Sequence, residues 1–357
     1  MDNSKKNPKL FSSVVATDPD SSSLNPNKKP KTMDEEEKSF GGRFLDKDKD
    51  VFAHNAWDSV EPDQEYLEYA ETRLKMHKET RISKENVEKY NSDPNKFWDT
   101  FYSNNQNKFF KDRNWFYIEF PELFSWTNEL NKDVLSEKLE KRDVAKHPES
   151  EKVQESQIET DTVDNFVIME LGCGAGNAVF PLLKTIQDKR LEIIACDYSK
   201  VAVDVVKSTD TYQEDKRCKA FVWDITDKNL PDGVEPGTVD VILCIFVLSA
   251  IHPDSMSQVV SNLHKLLKPG GLVLFRDYGK YDLAQVRLKG NRLLQENFYI
   301  RGDGTRVYFF ENSELENLFK DKFEIIQNGA DKRLIVNRQR KIKMHRVWLQ
   351  AKFKKIG

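Results

Sequence analysis

Cysteine is scarce and scattered in this chain of 357 residues: Cys173, Cys196, Cys218 and Cys244 are its four, and none forms a Cys-x-x-Cys pair. That spacing excludes a zinc knuckle or a disulfide frame and fits reduced thiols inside a cell, so no metal is expected. No apolar run is long enough to cross a bilayer, so no membrane partner is expected. A secretory apolar segment is also missing from the start. The early lysines are mixed with Asp2, Asp18 and Asp20, unlike a mitochondrial presequence. The expected location is cytoplasmic. "KKPK" at Lys28–Lys31 leaves a nuclear presence open, or is merely solvated tail. Nor is there an excess of basic charge, because the formal net charge is −3. That average does not announce nucleic acid, but distribution matters more than the sum. Residues 338–355 carry Arg338, Arg340, Lys341, Lys343, Arg346, Lys352, Lys354 and Lys355 with almost no acids. They form either a solvated basic face or a surface for phosphates.

Aromatic residues make up 11% of the chain and charged residues 32%, enough for a real core under a very polar surface. Residues 1–39 hold few apolar side chains and read as a disordered tail. Residues 40–126 mix aromatics with glycine, as in "FGGRFL" and "VFAHNAWD", and read as an extension that docks onto something larger. A helical stretch is expected over roughly Glu65–Tyr90. After Asp93-Pro94, "NKFWDTFY" puts Phe97, Trp98, Phe101 and Tyr102 at helical spacing. Residues 127–163 are almost purely polar and read as an insertion or linker.

From residue 164 onward strand and helix patterns alternate. "FVIMEL", "EIIACD", "KAFVWD", "VDVILCIFVL" and "LVLFRD" read as buried strands, with helices expected at Asn177–Ile186, Lys200–Ser208 and Ser255–Leu267. Ser313-Glu-Leu-Glu316 reads as a capping box opening the last helix, before closing strands "FEIIQN" and "HRVWLQAKF". This order predicts an α/β fold with a mostly parallel sheet and helices on both faces.

"MELGCGAGN" runs from a strand into Gly172-x-Gly174-x-Gly176. Glycines there permit a tight turn and close backbone approach to a ligand at the next helix. An ordinary strand-to-helix turn would look the same in isolation. The context decides. The second strand ends in Asp197, able to accept both ribose hydroxyls of an adenosine, and the third in Asp224, placed to read an adenine amino group. Ile245 and Phe246, at the end of the fourth, can cover the ring. A dehydrogenase would need Gly-x-Gly-x-x-Gly and a second dinucleotide-binding half. S-adenosylmethionine (SAM) fits better, in a class I SAM-dependent methyltransferase with a Rossmann-like, seven-stranded sheet.

"FWDTFY", "KFFKDRNW", "ELGCGAGN", "IFVLSAIHPD", "LFRDYG" and "ENFYIRGDGTRVYFF" resemble the eukaryotic tRNA N3-methylcytidine methyltransferases, over most of residues 40–357. "FGGRFL" with "VFAHNAWD" is similar to the subgroup acting on threonine and some arginine tRNAs. The resemblance implies methylation of an anticodon-loop cytidine, SAM as donor, and an N-terminal RNA-binding extension. An accessory protein or tRNA synthetase is a further partner in view. It carries SAM contacts onto Gly172, Asp197, Asp224, Ile225 and Ile245, and a lid over the SAM onto Trp98 and Tyr102. Their spacing of four puts both rings on one helical face, which suits a lid or plain core packing.

Cytosine N3 has a lone pair and no proton to lose, so no general base is expected, and His252 reads first as a structural loop histidine. The product is cationic, and a carboxylate near the base would help. Asp277 of "FRDYG" is the candidate catalytic group. Arg276 beside it would grip RNA phosphate or pair with Asp277. "GDGT" at Gly302–Thr305 reads as a hairpin turn that would also present Arg301 and Arg306 to RNA. In "NKFFKDRNWFYIEFPEL", Trp115, Phe116 and Phe120 are expected to pack on the core. Phe109, Phe110, Lys111 and Arg113 are expected at the crevice mouth, holding the tRNA loop. The competing readings are a methyltransferase of small molecules or proteins and a non-catalytic tRNA-binding partner.

Overall fold

The computed structural model describes residues 40–46, 48–127 and 165–357. The expected tail 1–39, with Lys28–Lys31, lies outside the described residues, as does the expected insertion 127–163 except for Thr127. Among the described residues no helix is long and apolar enough to cross a membrane.

The N-terminal extension supplies β1 (Ala56–Asp58), α1 (Gln64–Glu79), α2 (Lys84–Ser92), α3 (Asn95–Asn105) and α4 (Phe116–Glu119). The rest runs β2 (Phe166–Leu171), α5 (Val179–Thr185), β3 (Leu191–Asp197), α6 (Lys200–Lys207), α7 (Asp210–Glu214), β4 (Cys218–Val222) and β5 (Val239–Ile245). Then come α8 (Met256–Leu266), β6 (Leu267–Tyr278), α9 (Leu283–Val286) and a small sheet of β7 (Leu293–Gln295), β8 (Phe298–Ile300) and β9 (Arg306–Tyr308). α10 (Asn312–Phe319), β10 (Phe323–Asn337) and β11 (Ile342–Lys355) close the fold.

The large sheet has the order β1-β10-β11-β6-β5-β2-β3-β4. β4, β3, β2, β5 and β6 are parallel neighbours, and β11 enters antiparallel between β6 and β10. The expected seven strands are present, and an eighth, β1, is added at the β10 edge. Side-chain alternation splits the parallel strands between two cores. Met169, Leu171, Ile194 and Ile242 pack on one face, while Ile168, Ile193, Val241 and Leu243 pack on the other.

β1 docks because "FGGRFL" wraps Asp58. The Asp58 carboxylate accepts the Gly42 and Arg43 N–H groups at 2.7 and 3.0 Å. Gly41 sits at φ +82°, and a Cβ there would lie 2.0 Å from Asp58 Cγ. Trp57 is buried against Leu334 and Val336, and its Nε1 donates to Val51 O.

Three local expectations are corrected. The helix expected over Glu65–Tyr90 is two helices, α1 and α2. α1 stops where Thr80 turns its hydroxyl back on Met76 O and receives Asn291 N–H on its carbonyl. The capping box of the last helix is Glu311 with Glu314, two residues earlier than Ser313–Glu316. Finally, α5 starts at Val179, not Asn177, because residues 174–178 are spent on turns.

Candidate active site

A cavity of about 350 Å³ opens at the carboxyl ends of β2, β3, β4 and β5, as expected of an open α/β sheet. Gly172 and Gly174 form its floor at φ +55° and +53°. A side chain at Gly172 would meet Val247 at 2.6 Å, and one at Gly174 would meet the Tyr102 hydroxyl at 2.5 Å. Both positions therefore need glycine for backbone conformation and for space. Gly176 does not border the cavity; its left-handed turn packs against Phe180.

Asp197 closes β3 with its carboxylate inside the site, where Oδ2 accepts Gly174 N–H at 2.9 Å and Oδ1 accepts Ser199 N–H at 2.8 Å. Burial raises it to about 6, opposed by these hydrogen bonds and aided by the charge of Asp99. Asp224, beyond β4, lines the cavity and is oriented by Thr226, whose N–H and hydroxyl both donate to Oδ1. Asn262 stiffens that loop by donating to Ile225 O and Asp227 O. Ile225 and Ile245 are buried and line the cavity.

Trp98 and Tyr102 lie on one face of α3, their rings stacked at 6.1 Å, and both border the cavity. α3 is latched by Asp99, which the sequence reading missed. Its Oδ1 accepts the Ser199 hydroxyl at 2.6 Å and Val201 N–H at 3.4 Å, at the N-terminus of α6. The signal was present: an acid between two aromatic positions of a helix, and a Ser before a helical run.

Glu170 was also missed, although an acid inside the apolar "FVIMEL" is conspicuous. It is 6% exposed and lines the cavity, and its Oε2 has no hydrogen-bond partner. Burial raises it to about 8, tempered by the positive charge of Arg113. Arg113 is itself buried and lowered by desolvation, with its guanidinium over the Phe246 ring at 5.4 Å. It lines the cavity rather than the outer surface, so its reading as an RNA contact is corrected.

The other expected RNA contacts divide. Lys111 is exposed. Phe109 and Phe110 are half-buried, packed edge-on to each other and against Phe101, and Phe110 reaches the cavity. They support the lid helix, a correction to their reading as an open RNA platform. Arg301 lines the cavity with its guanidinium over Tyr278 at 5.3 Å. Arg306 is buried, donating to Asn91 Oδ1 and Ala250 O, so it ties α2 to the loop after β5 and lines the cavity rather than the outer surface. "GDGT" is the turn between β8 and β9. Trp115, Phe116 and Phe120 pack on the core, as expected.

Arg276 and Asp277 are corrected together. They are neighbours on a strand, so their side chains leave opposite faces and do not pair. Arg276 is 4% exposed, between Trp115 and Trp348, paired with Asp331 and donating to Gln350 Oε1. It cannot reach RNA phosphate. Asp277 is fully buried and does not border the cavity; its oxygens accept the Ser249 and Tyr278 N–H groups at 2.9 and 2.8 Å. It holds the loop and does not touch a base. His252 borders the cavity, capping Pro253–Ser255 through Nδ1, as a structural loop histidine would. The four cysteines are all free and buried, and no group of three or more His, Cys, Asp or Glu is poised for a metal among the described residues.

These residues fit SAM. Asp197 and Asp224 offer acceptors at two strand ends, and Gly172–Gly174 admit close approach. Arg113 and the unpartnered Glu170 Oε2 match a carboxylate and an ammonium, the two ends of a zwitterionic amino acid. Fold and site together define a class I, SAM-dependent methyltransferase, and a methyltransferase-domain family model matches residues 169–273.

The chain belongs to the tRNA N(3)-methylcytidine methyltransferases. It is 46% identical over 317 residues to a tRNA N(3)-methylcytidine methyltransferase of Schizosaccharomyces pombe, covering 89% of this chain and 92% of that one. It is 43% identical over 322 residues to a tRNA N(3)-cytidine methyltransferase of Danio rerio, covering 89% of each. It is 44% identical over 318 residues to the tRNA(Thr) (cytosine(32)-N(3))-methyltransferase of Saccharomyces cerevisiae, covering 88% of this chain and 45% of that longer one.

Proposed function

We propose that this protein methylates N3 of cytidine 32 in the anticodon loop of threonine tRNA, with some arginine tRNAs as further substrates. The observation that carries this reading is a complete cofactor cradle in a chain 44% identical to a relative named for that nucleotide of that tRNA. An accessory protein or a tRNA synthetase as delivery partner belongs to the same reading and rests on family resemblance alone.

When bound, SAM supplies an electrophilic methyl group. Cytosine N3 forms the new bond with its lone pair, and no proton has to leave, so a general base is not required. The chain's own work is positioning and exclusion of water. Asp197 and Asp224 fix the nucleoside end, while Arg113 and Glu170 fix the amino-acid end. Trp98 and Tyr102, held by Asp99 on α6, cover the crevice. The test is purified protein with SAM and threonine tRNA, digested to nucleosides for mass spectrometry. N3-methylcytidine at position 32 is expected; its absence on intact tRNA under conditions where the protein binds S-adenosylhomocysteine (SAH) would overturn the reading.

A further inference from the structure

One residue of the cavity wall holds a backbone conformation that its side chain disfavours. Phe246, the first residue after β5, sits at φ +58°. A bulky residue there is an outlier that persists only where its surroundings over-determine it, and such outliers cluster at ligand clamps.

Three consecutive residues of β6 do the holding. The Arg276 carbonyl accepts Phe246 N–H at 2.7 Å. The Asp277 carboxylate accepts Ser249 N–H at 2.9 Å and pins the far side of the same turn. The Tyr278 ring packs on the Phe246 ring at 5.0 Å and 54°. Arg276 is in turn immobilised by Asp331 and two Trp rings. A buried network is thus spent on presenting one aromatic ring at a cavity wall.

The nucleoside end of the cofactor, where Phe246 was expected to cover the adenine ring, does not account for this pair of rings. That end is marked by Asp197 and Asp224, and the latter's charge bears on Tyr198 and Arg306. Phe246 and Tyr278 lie by the amino-acid end instead, with Arg113 over the first ring and Arg301 over the second. Both rings are half-exposed and border the cavity.

We propose that Phe246 and Tyr278 form the stacking platform for the target nucleobase, with Arg301 as the donor to its carbonyl edge. The proposal rests on the reading of the protein as a cytidine methyltransferase and names the subsite for that base. Flat π-faces are what an unstacked base replaces its neighbours with. A guanidinium can donate to cytosine O2 while leaving N3 bare. The charge balance favours rings too. As the N3–C bond forms, the S–C bond breaks and its electron pair returns to sulfur. The positive charge therefore leaves sulfur and appears on the base, where aromatic faces stabilise a cation. No carboxylate is needed for this, consistent with Asp277 being turned to Ser249.

The test uses the full chain and threonine tRNA, with Phe246→Leu, Phe246→Trp and Tyr278→Leu. First, wild-type methylation at position 32 is measured; if it is absent, the functional reading falls and the subsite falls with it. Given activity, Phe246→Leu and Tyr278→Leu should each lose at least tenfold in kcat/KM for tRNA, with the SAH dissociation constant within twofold. Phe246→Trp should restore most of the loss. Second, threonine tRNA carrying fluorescent pyrrolocytidine at position 32 is bound in the presence of SAH. Stacking should quench it on wild type and Phe246→Trp but not on Phe246→Leu. Full activity or full quenching in Phe246→Leu would overturn the platform. A tenfold loss of SAH affinity in that variant would instead assign the ring to the cofactor, and would also overturn it.

Discussion

The latch on the lid gives a prediction that reads two properties at once. Asp99 Oδ1 accepts the Ser199 hydroxyl and Val201 N–H, so Asp99→Asn removes a charged acceptor at the N-terminus of α6. Hydrogen bonds to charged groups contribute about 1.5–3 kcal/mol when buried, and the half-exposed position of Asp99 argues for the low end. About 1.4 kcal/mol is tenfold in affinity, so the SAH dissociation constant at pH 8 should rise about tenfold if the lid must stay docked. The second property moves the other way. Asp197 is raised to about 6, by burial first and also by the negative charge of Asp99. Binding that needs the Asp197 carboxylate is present above that value and is lost as pH falls through it. Removing the Asp99 charge lowers the Asp197 pKa, so the acid limb should shift to lower pH. Calorimetric SAH binding from pH 5 to 8 measures both. A variant that binds as tightly as wild type at pH 8, or whose acid limb moves up, would refute the latch.

Arg276→Ala strands Asp331 with one fewer cation and should cost about 3 kcal/mol in urea unfolding; unchanged stability with weaker tRNA binding would restore Arg276 to the RNA surface. Glu170→Gln should weaken SAH severalfold but leave 5′-methylthioadenosine, which lacks the amino-acid end, unaffected; equal losses for both would remove Glu170 from that role. Lys111→Ala should leave SAH binding intact and reduce the slope of log K for tRNA against log salt by about 0.7–0.9. An unchanged slope would take Lys111 out of the phosphate contacts.

How far the sequence carried the fold follows from what its residues had to satisfy locally. "FVIMEL" and "VDVILCIFVL" declared themselves because a central parallel strand is buried on both faces and is apolar at nearly every position. The glycine loop and the acids closing β3 and β4 were legible for a similar reason: each is fixed by one strand end and one turn, within a few residues. Asp99 and Glu170 went unread because their meaning depends on partners far along the chain, Ser199 and Arg113.

The sequence by itself determined the α/β class, the nucleoside half of the cofactor cradle and the family, since all three rest on short contiguous patterns. Only the tertiary structure decided which way the charged side chains face. The aromatic and basic mixture at 107–123 is the same composition whether Arg113 points to solvent or into the cavity. The docking of α3 and α4 sends it inward beside Glu170 and leaves Lys111 outside. Arg276 and Asp277 stand side by side in the sequence, yet strand alternation sends one to Asp331 on β10 and the other to Ser249 beyond β5. Adjacency along the chain set their chemistry, and the pleat of β6 set their partners.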